Sequence, residues 1–232
     1  MDERFAMCST FKLLLAAAVL ARVDSGKESL DRWVPYGKTD LLSYAPITRQ
    51  HASKGGMSVG NLCAAAIQYS DNTAANLLLP SVGGPGGITH WLRSLGDGTT
   101  RLDRIEPDLN TNIPDDPRDT TSPAAMVATM KKLLSGGALS LASRKQLAHW
   151  LIGNTTGKAR LRAGLDHACV VGDKTGTGER GAANDVAVVW PRIGDAPSFV
   201  AVFVSSPEAT PAERDAEIAE VGHIVSRVMA KQ

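Results

Sequence analysis

The sequence predicts an α+β fold, a helical lobe beside a small antiparallel sheet, and three observations carry that prediction. Residues 9–21 are rich in Leu and Ala and apolar on every face, as expected of a helix buried at the centre of a fold. From Ala168 onward the pattern changes to short β-branched runs separated by turn residues, which reads as antiparallel strands. Thr210-Pro211-Ala212-Glu213 is a capping box with Pro at the first helical position. Behind it Ile218, Val221, Val225 and Val228 recur at three- and four-residue spacing. Helices, then strands, then one closing helix argue for segregated layers. The expected division is a mainly helical lobe over 1–160 and a sheet lobe with the C-terminal helix over 161–232.

The elements follow in order. The apolar run of 9–21 ends at Asp24-Ser25-Gly26, and residues 31–57 are loop-rich. Two helical pieces, Ser58–Tyr69 and Asn72–Pro80, flank Ser70-Asp71-Asn72. Gly83 to Gly87 breaks the chain before a helix over Ile88–Leu95. Residues 96–120 hold three prolines and no period, and a loop of that length in a compact domain is usually functional. Ser122-Pro123 opens the next helix with a capping serine and Pro at N1, and Ser143–Ile152 forms another. Strands are expected over Ala168–Thr175, Asp185–Trp190 and Ser198–Val204, with the last helix over Ala212–Met229.

The chain has 232 residues, 43% of them hydrophobic, enough for a substantial core. A net charge of +1 gives no footprint for nucleic acid or an anionic membrane. The five histidines lack metal-ligand spacing and Cys-x-x-Cys is absent, so neither a metal nor a cofactor is expected. Three cysteines leave at least one thiol unpaired. No apolar run reaches membrane-spanning length. Leu13 to Ala21 behind Lys12 also has the outline of a secretory signal, but Asp2, Glu3, Arg4 and Lys12 cancel where a signal would be net positive.

Ser9-Thr10-Phe11-Lys12 places a hydroxyl and an amine on one helix face, where the amine can take the hydroxyl's proton. Backbone N–H groups at a helix start suit an oxyanion. Ser70-Asp71-Asn72 is a turn by composition, and Lys174-Thr175-Gly176 a strand end. Gly56-Met57-Ser58-Val59-Gly60 matches a nucleophile elbow, but the polar stretch before it is not strand-like, and Ser58 reads as a helix cap. Asn154-Thr155-Thr156 matches a glycosylation sequon, and nothing else in the chain supports that use.

Taken together and in this order, S-x-x-K at Ser9 and Lys12, S-D-N at Ser70 to Asn72 and K-T-G at Lys174 to Gly176 resemble the class A serine β-lactamases. "RLDRIEPDLN", residues 101–110, is similar to the start of that family's Ω-shaped loop, here 101–119, with Arg104 and Asp119 where the family closes the loop by an ion pair. The resemblance implies hydrolysis of penicillins and cephalosporins through an acyl-enzyme on Ser9. Lys12, or Glu106 through a water, takes the serine proton. Backbone N–H groups of Ser9 and Thr177 form the oxyanion hole, and Ser70 relays a proton to the leaving nitrogen. Glu106 activates the deacylating water, which Asn110 helps hold. Asn72 binds the substrate's side-chain amide, while Lys174, Thr175 and Thr177 bind its carboxylate. Tyr44 matches the aromatic residue at the pocket rim or is an ordinary loop aromatic.

Where many relatives carry a carboxylate-binding Arg, this chain has Pro197-Ser198-Phe199; Arg160 matches the alternative source of that guanidinium or is a surface charge. In carbapenem-hydrolysing relatives the cysteine matching Cys8 bonds a second one after K-T-G-T, where this chain has Gly178, and residues 13–22 hold no cysteine to bond Cys63, so no disulfide and no carbapenemase activity are expected. The neighbouring readings are a penicillin-binding D,D-peptidase, a penicillin sensor that stays acylated, and an inactive truncated fragment; Glu106 with Asn110 argues for turnover. Relatives of this family usually have an export signal, a helix and two strands ahead of the nucleophile helix. Their absence here implies a sheet of about three strands, with Ser198–Val204 as a bare edge able to recruit another chain. It also implies a poorly stable, aggregation-prone chain, whose parent is periplasmic or secreted.

Overall fold

The computed structural model describes residues 1–192 and 195–230. Its elements are, in order, β1 (Phe5–Ala6), α1 (Phe11–Asp24), β2 (Trp33–Pro35), α2 (Thr48–His51), β3 (Gly56–Ser58), α3 (Val59–Gln68), α4 (Asn72–Leu78) and α5 (Gly84–Ser94). They continue with β4 (Thr120–Thr121), α6 (Pro123–Leu134), α7 (Leu141–Ile152), α8 (Leu161–Gly164), β5 (Val170–Thr177), β6 (Ala182–Trp190), β7 (Ser198–Ser205) and α9 (Pro211–Met229). The architecture is α+β, as expected. Helix α1 runs through the main core, buried from Phe11 to Leu20. It is packed by α3, α4, α5 and α7, so a helix without a polar face has no side left to solvate.

The sheet is antiparallel in the order β5-β6-β7. Lys174 lies opposite Val186, and Asn184 stands between Gly176 on one side and Phe203 on the other. Among the described residues β7 pairs only with β6, so it is the edge of this sheet. Its side chains are nonetheless spoken for. Phe199, Ala201 and Phe203 pack against the main core, while Val200, Val202 and Val204 pack with α9 through Ile218.

Several boundaries differ from expectation. Gly83 to Gly87 does not break the chain before the helix. Gly83 turns it in the left-handed region (φ 85°), and α5 starts at Gly84 with Pro85 in its first turn. Gly87 sits where a Cβ would lie 2.0 Å from the Val82 carbonyl oxygen, so close packing replaces the breaker role. Gly56–Ser58 is a short strand paired with Trp33–Pro35, although the residues before it do not look strand-like. The elbow reading fails on another ground: Ser58 accepts the Asn61 N–H as the N-cap of α3. Ser9 lies not in the α-helix but in a 3₁₀ turn over Cys8–Thr10 that leads into it.

Candidate active site

The local sequence explains how each group is presented. Cys8 takes a left-handed φ of 44° just before Ser9. Such a conformation is costly away from glycine and persists only when its surroundings fix it. Thr10 donates both its backbone N–H and its hydroxyl to the Met7 carbonyl, which closes the turn. One turn further on, Lys12 is fully buried, and its Nζ donates to Ser9 Oγ at 2.9 Å, Ser70 O at 2.8 Å and Asn72 Oδ1 at 2.6 Å. Ser70 also holds a positive φ of 56°. Asp71 turns away from the cleft, caps α4 through Ala74 N, and accepts the backbone N–H groups of Ile47 and Thr48. It thereby fixes the loop that carries Tyr44, whose own carbonyl accepts the Asn72 N–H.

Glu106 comes from the long loop and is 1% exposed. One carboxylate oxygen lies 2.9 Å from Lys12 Nζ and 3.4 Å from Ser9 Oγ; the other accepts Asn110 Nδ2 at 2.6 Å. Lys174 Nζ donates to Ser70 Oγ at 3.1 Å and to the Thr175 carbonyl. Burial pushes Lys12 below the usual lysine range, with Glu106 pulling the other way. Lys174 falls to about 7, through burial first and then the charge of Lys12. Burial holds the Cys8 thiol up at about 12, and Cys8, Cys63 and Cys169 are free thiols.

Ser9, Ser70, Asn72, Tyr44, Asn110, Arg160, Thr175 and Thr177 line one cleft of about 350 Å³, and Lys12, Glu106 and Lys174 are buried behind it in contact with Ser9 or Ser70. A larger cleft, about 460 Å³, lies behind the loop beside Arg4 and Arg118 and holds none of these groups. Arg160 is not a surface charge. It is 8% exposed and donates to the carbonyls of Gly176 and Asn184, to Thr177 Oγ1, and to Asp215 in an ion pair of 2.8 Å. Tyr44 stands half-exposed at the rim.

Sequence reasoning missed three polar contributors. Asn76 receives the Glu106 N–H and donates to the Glu106 carbonyl; it sits four residues after Asn72 on the same helix, a spacing that would have flagged it. Asp215, which orients Arg160, has no local signal. Thr156 lay inside the dismissed sequon, and its hydroxyl is 2.6 Å from that of Thr175. Asn154 of that sequon is buried against Asp173.

A model of the β-lactamase enzyme family matches residues 1–229. β-Lactamase L2 of Stenotrophomonas maltophilia is 51% identical over 98% of this chain and 75% of its own length. β-Lactamase Toho-1 of Escherichia coli is 51% identical over 97% of this chain and 77% of its own. Among solved structures, the class A β-lactamase of the last common ancestor of Gram-negative bacteria (GNCA4) superimposes with a TM-score of 0.95. It is 60% identical, over 98% of this chain and 86% of that one. A serine hydroxyl within hydrogen-bond distance of a buried lysine amine is an arrangement suited to nucleophilic catalysis. The chain belongs to the β-lactamase enzyme family, in class A.

Proposed function

We propose that this cleft opens the lactam ring of penicillins and cephalosporins by acyl transfer to Ser9 and then hydrolyses the resulting ester, conferring resistance to those antibiotics. The observation that carries the reading is Glu106. It reaches the Ser9 hydroxyl with one oxygen while Asn110 holds the other, which provides a second base for the deacylation half. A sensor that stays acylated has no use for that base.

Ser9 Oγ attacks the lactam carbonyl, and its proton passes to the Lys12–Glu106 pair. Backbone N–H groups of Ser9 and Thr177 receive the oxyanion. As the C–N bond breaks, Ser70 delivers its proton to the ring nitrogen and is reloaded from Lys12 or Lys174, 3.4 and 3.1 Å away. Glu106 then takes a proton from a water, steadied by Asn110, that attacks the ester; as the acyl C–Oγ bond breaks, the Lys12–Glu106 pair returns a proton to Ser9 Oγ. Asn72 Oδ1 is engaged by Lys12, so its amide N–H groups are left for the substrate's side-chain carbonyl. Lys174, Thr175, Thr177 and Arg160 take the substrate carboxylate, and Tyr44 walls the rim.

The compartment proposed is the family's, the bacterial periplasm or exterior. No helix among the described residues is long and apolar enough to cross a membrane. Self-association along β7 is supported by its bare edge, eight residues without a charge, Gly or Pro; concentration-dependent sedimentation would reveal it, and a single monomeric species at all concentrations would remove it. A chromogenic cephalosporin tests the activity itself. Many turnovers per enzyme are expected; one stoichiometric burst would assign the sensor reading, and slow release the peptidase.

A further inference from the structure

Asn184 lies on β6, fully buried, outside the cleft and outside every motif read from the sequence. Its Nδ2 donates to the carbonyls of Ala6 at 2.9 Å and Met7 at 3.1 Å. Two carbonyl oxygens facing one end of the side chain identify that end as the NH₂ group. Met7 is two residues before Ser9, and its carbonyl is the one that Thr10 uses to close the nucleophile turn. The backbone of Asn184 faces the other side of the cleft. Its carbonyl accepts Arg160 Nη1 at 2.7 Å, and Arg160 reaches Thr177 Oγ1 at 2.8 Å.

Gly176 fits the same junction. It pairs with Asn184 across the sheet, and a Cβ there would lie 2.7 Å from the Met7 oxygen and 3.1 Å from Asn184 Nδ2. With no side chain at Gly176, the nucleophile segment packs directly on the strand that ends at Thr177. The Asn184 Oδ1 atom is buried without a partner among the described residues. A side chain that leaves its acceptor unpaired contributes through its two donors.

We propose that Asn184 is a positioning residue for the oxyanion hole. Its carboxamide ties the segment bearing Ser9 to the sheet bearing Thr177 and so sets the separation of the two backbone N–H groups that receive the oxyanion. The inference rests on the acyl-transfer reading above. It follows that Asn184 serves both halves of the reaction, because each passes through an oxyanion. Neither donor is removed when Asn184 changes; the two are misaligned, and a misplacement of about 1 Å costs on the order of a hundredfold in rate.

The test is Asn184→Leu, which keeps the volume and lacks the donors, compared with the unaltered protein by single-turnover kinetics on a chromogenic cephalosporin. Acylation and deacylation should both slow, each by about tenfold to a hundredfold. Affinity for a phenylboronic acid, which forms a tetrahedral adduct on Ser9, should fall in parallel, and KM should change less than kcat. Asn184→Ala also lacks the donors and adds no bulk, and it carries the same expectation if the Leu variant does not fold. Restored rates in Asn184→Gln or Asn184→Ser, which retain a donor, would add support. A folded donor-free variant with unchanged acylation and boronate affinity overturns the proposal, and so does one that slows only deacylation. Failure of the acyl-transfer reading looks different: the unaltered protein would neither turn over the cephalosporin nor form the boronate adduct.

Discussion

Arg104 Nε lies 2.5 Å from Asp119 Oδ2, and this ion pair closes the loop that carries Glu106. The Asp119 side chain is fully buried, while Arg104 is 19% exposed. The other Asp119 oxygen accepts the backbone N–H groups of Asp103 and Arg104. Asp119 therefore satisfies both ends of the loop, whereas Arg104 satisfies one oxygen of Asp119 and the hydroxyl of Thr111.

Removing either partner should loosen the loop, and the order of severity is set by burial. Arg104→Ala strands a buried carboxylate, at a cost of about 3–5 kcal/mol if none of it relaxes. Asp119→Ala additionally orphans two N–H groups and should be the more damaging. Both should slow deacylation more than acylation, because Ser9 and Lys12 stand on α1 and its leading turn, not on the loop. Thermal melts and burst kinetics check this; equal slowing of both halves would contradict it.

Glu106→Gln keeps the loop contact to Asn110 within reach and removes the base. After mixing with penicillin, mass spectrometry should find a long-lived adduct on the Ser9 peptide. Loss of that adduct at the unaltered protein's rate would take deacylation away from Glu106.

Lys174 at about 7 predicts a pH effect on substrate capture. Below that value its ammonium is present to meet the substrate carboxylate; above it the free enzyme loses that charge. KM for a carboxylate-bearing cephalosporin should rise as the pH passes about 7, while the corresponding methyl ester should show no such rise. The sign for stability is separate. A lysine lowered in the fold binds fewer protons than in the unfolded chain between the folded and unfolded values, so its contribution to stability rises with pH across that window.

Asp185 gives the opposite slope. It is fully buried beside Asp173; Leu161 N donates to one oxygen, and the other has no partner among the described residues. Burial first, then the Asp173 charge, pushes it well above the usual carboxylate range. Asp173 is already matched by Arg162 and Asn154, so Asp185 is the member that stays protonated. Its stabilising contribution is complete below the unfolded carboxylate value, about 3.9, and declines as pH rises toward the folded value. Asn is the isostere of the protonated acid. Asp185→Asn should raise the melting temperature at neutral pH and flatten its decline with pH, with activity retained. A melting temperature lowered at neutral pH would show that Asp185 is ionised in the fold.

The sequence by itself determined the longer helices, the three strands of the larger sheet, the central buried helix and most of the chemical groups of the cleft. Each of these has a local physical cause. An all-apolar helix must be buried, Ser and Lys three apart share a face, and a capping box with Pro at N1 starts a helix wherever it lies. The ion pair of Arg104 and Asp119 was legible from two charges at the ends of one loop. Only the tertiary structure decided the fate of residues whose partners are far away in the chain. Arg160 became a pocket residue because Asp215, 55 positions later, holds its Nε from α9. Asn184 meets the nucleophile segment across 177 positions. Such contacts leave no periodicity or spacing in the sequence. Their energy comes from burial and pairing that exist only once the sheet and α1 have come together.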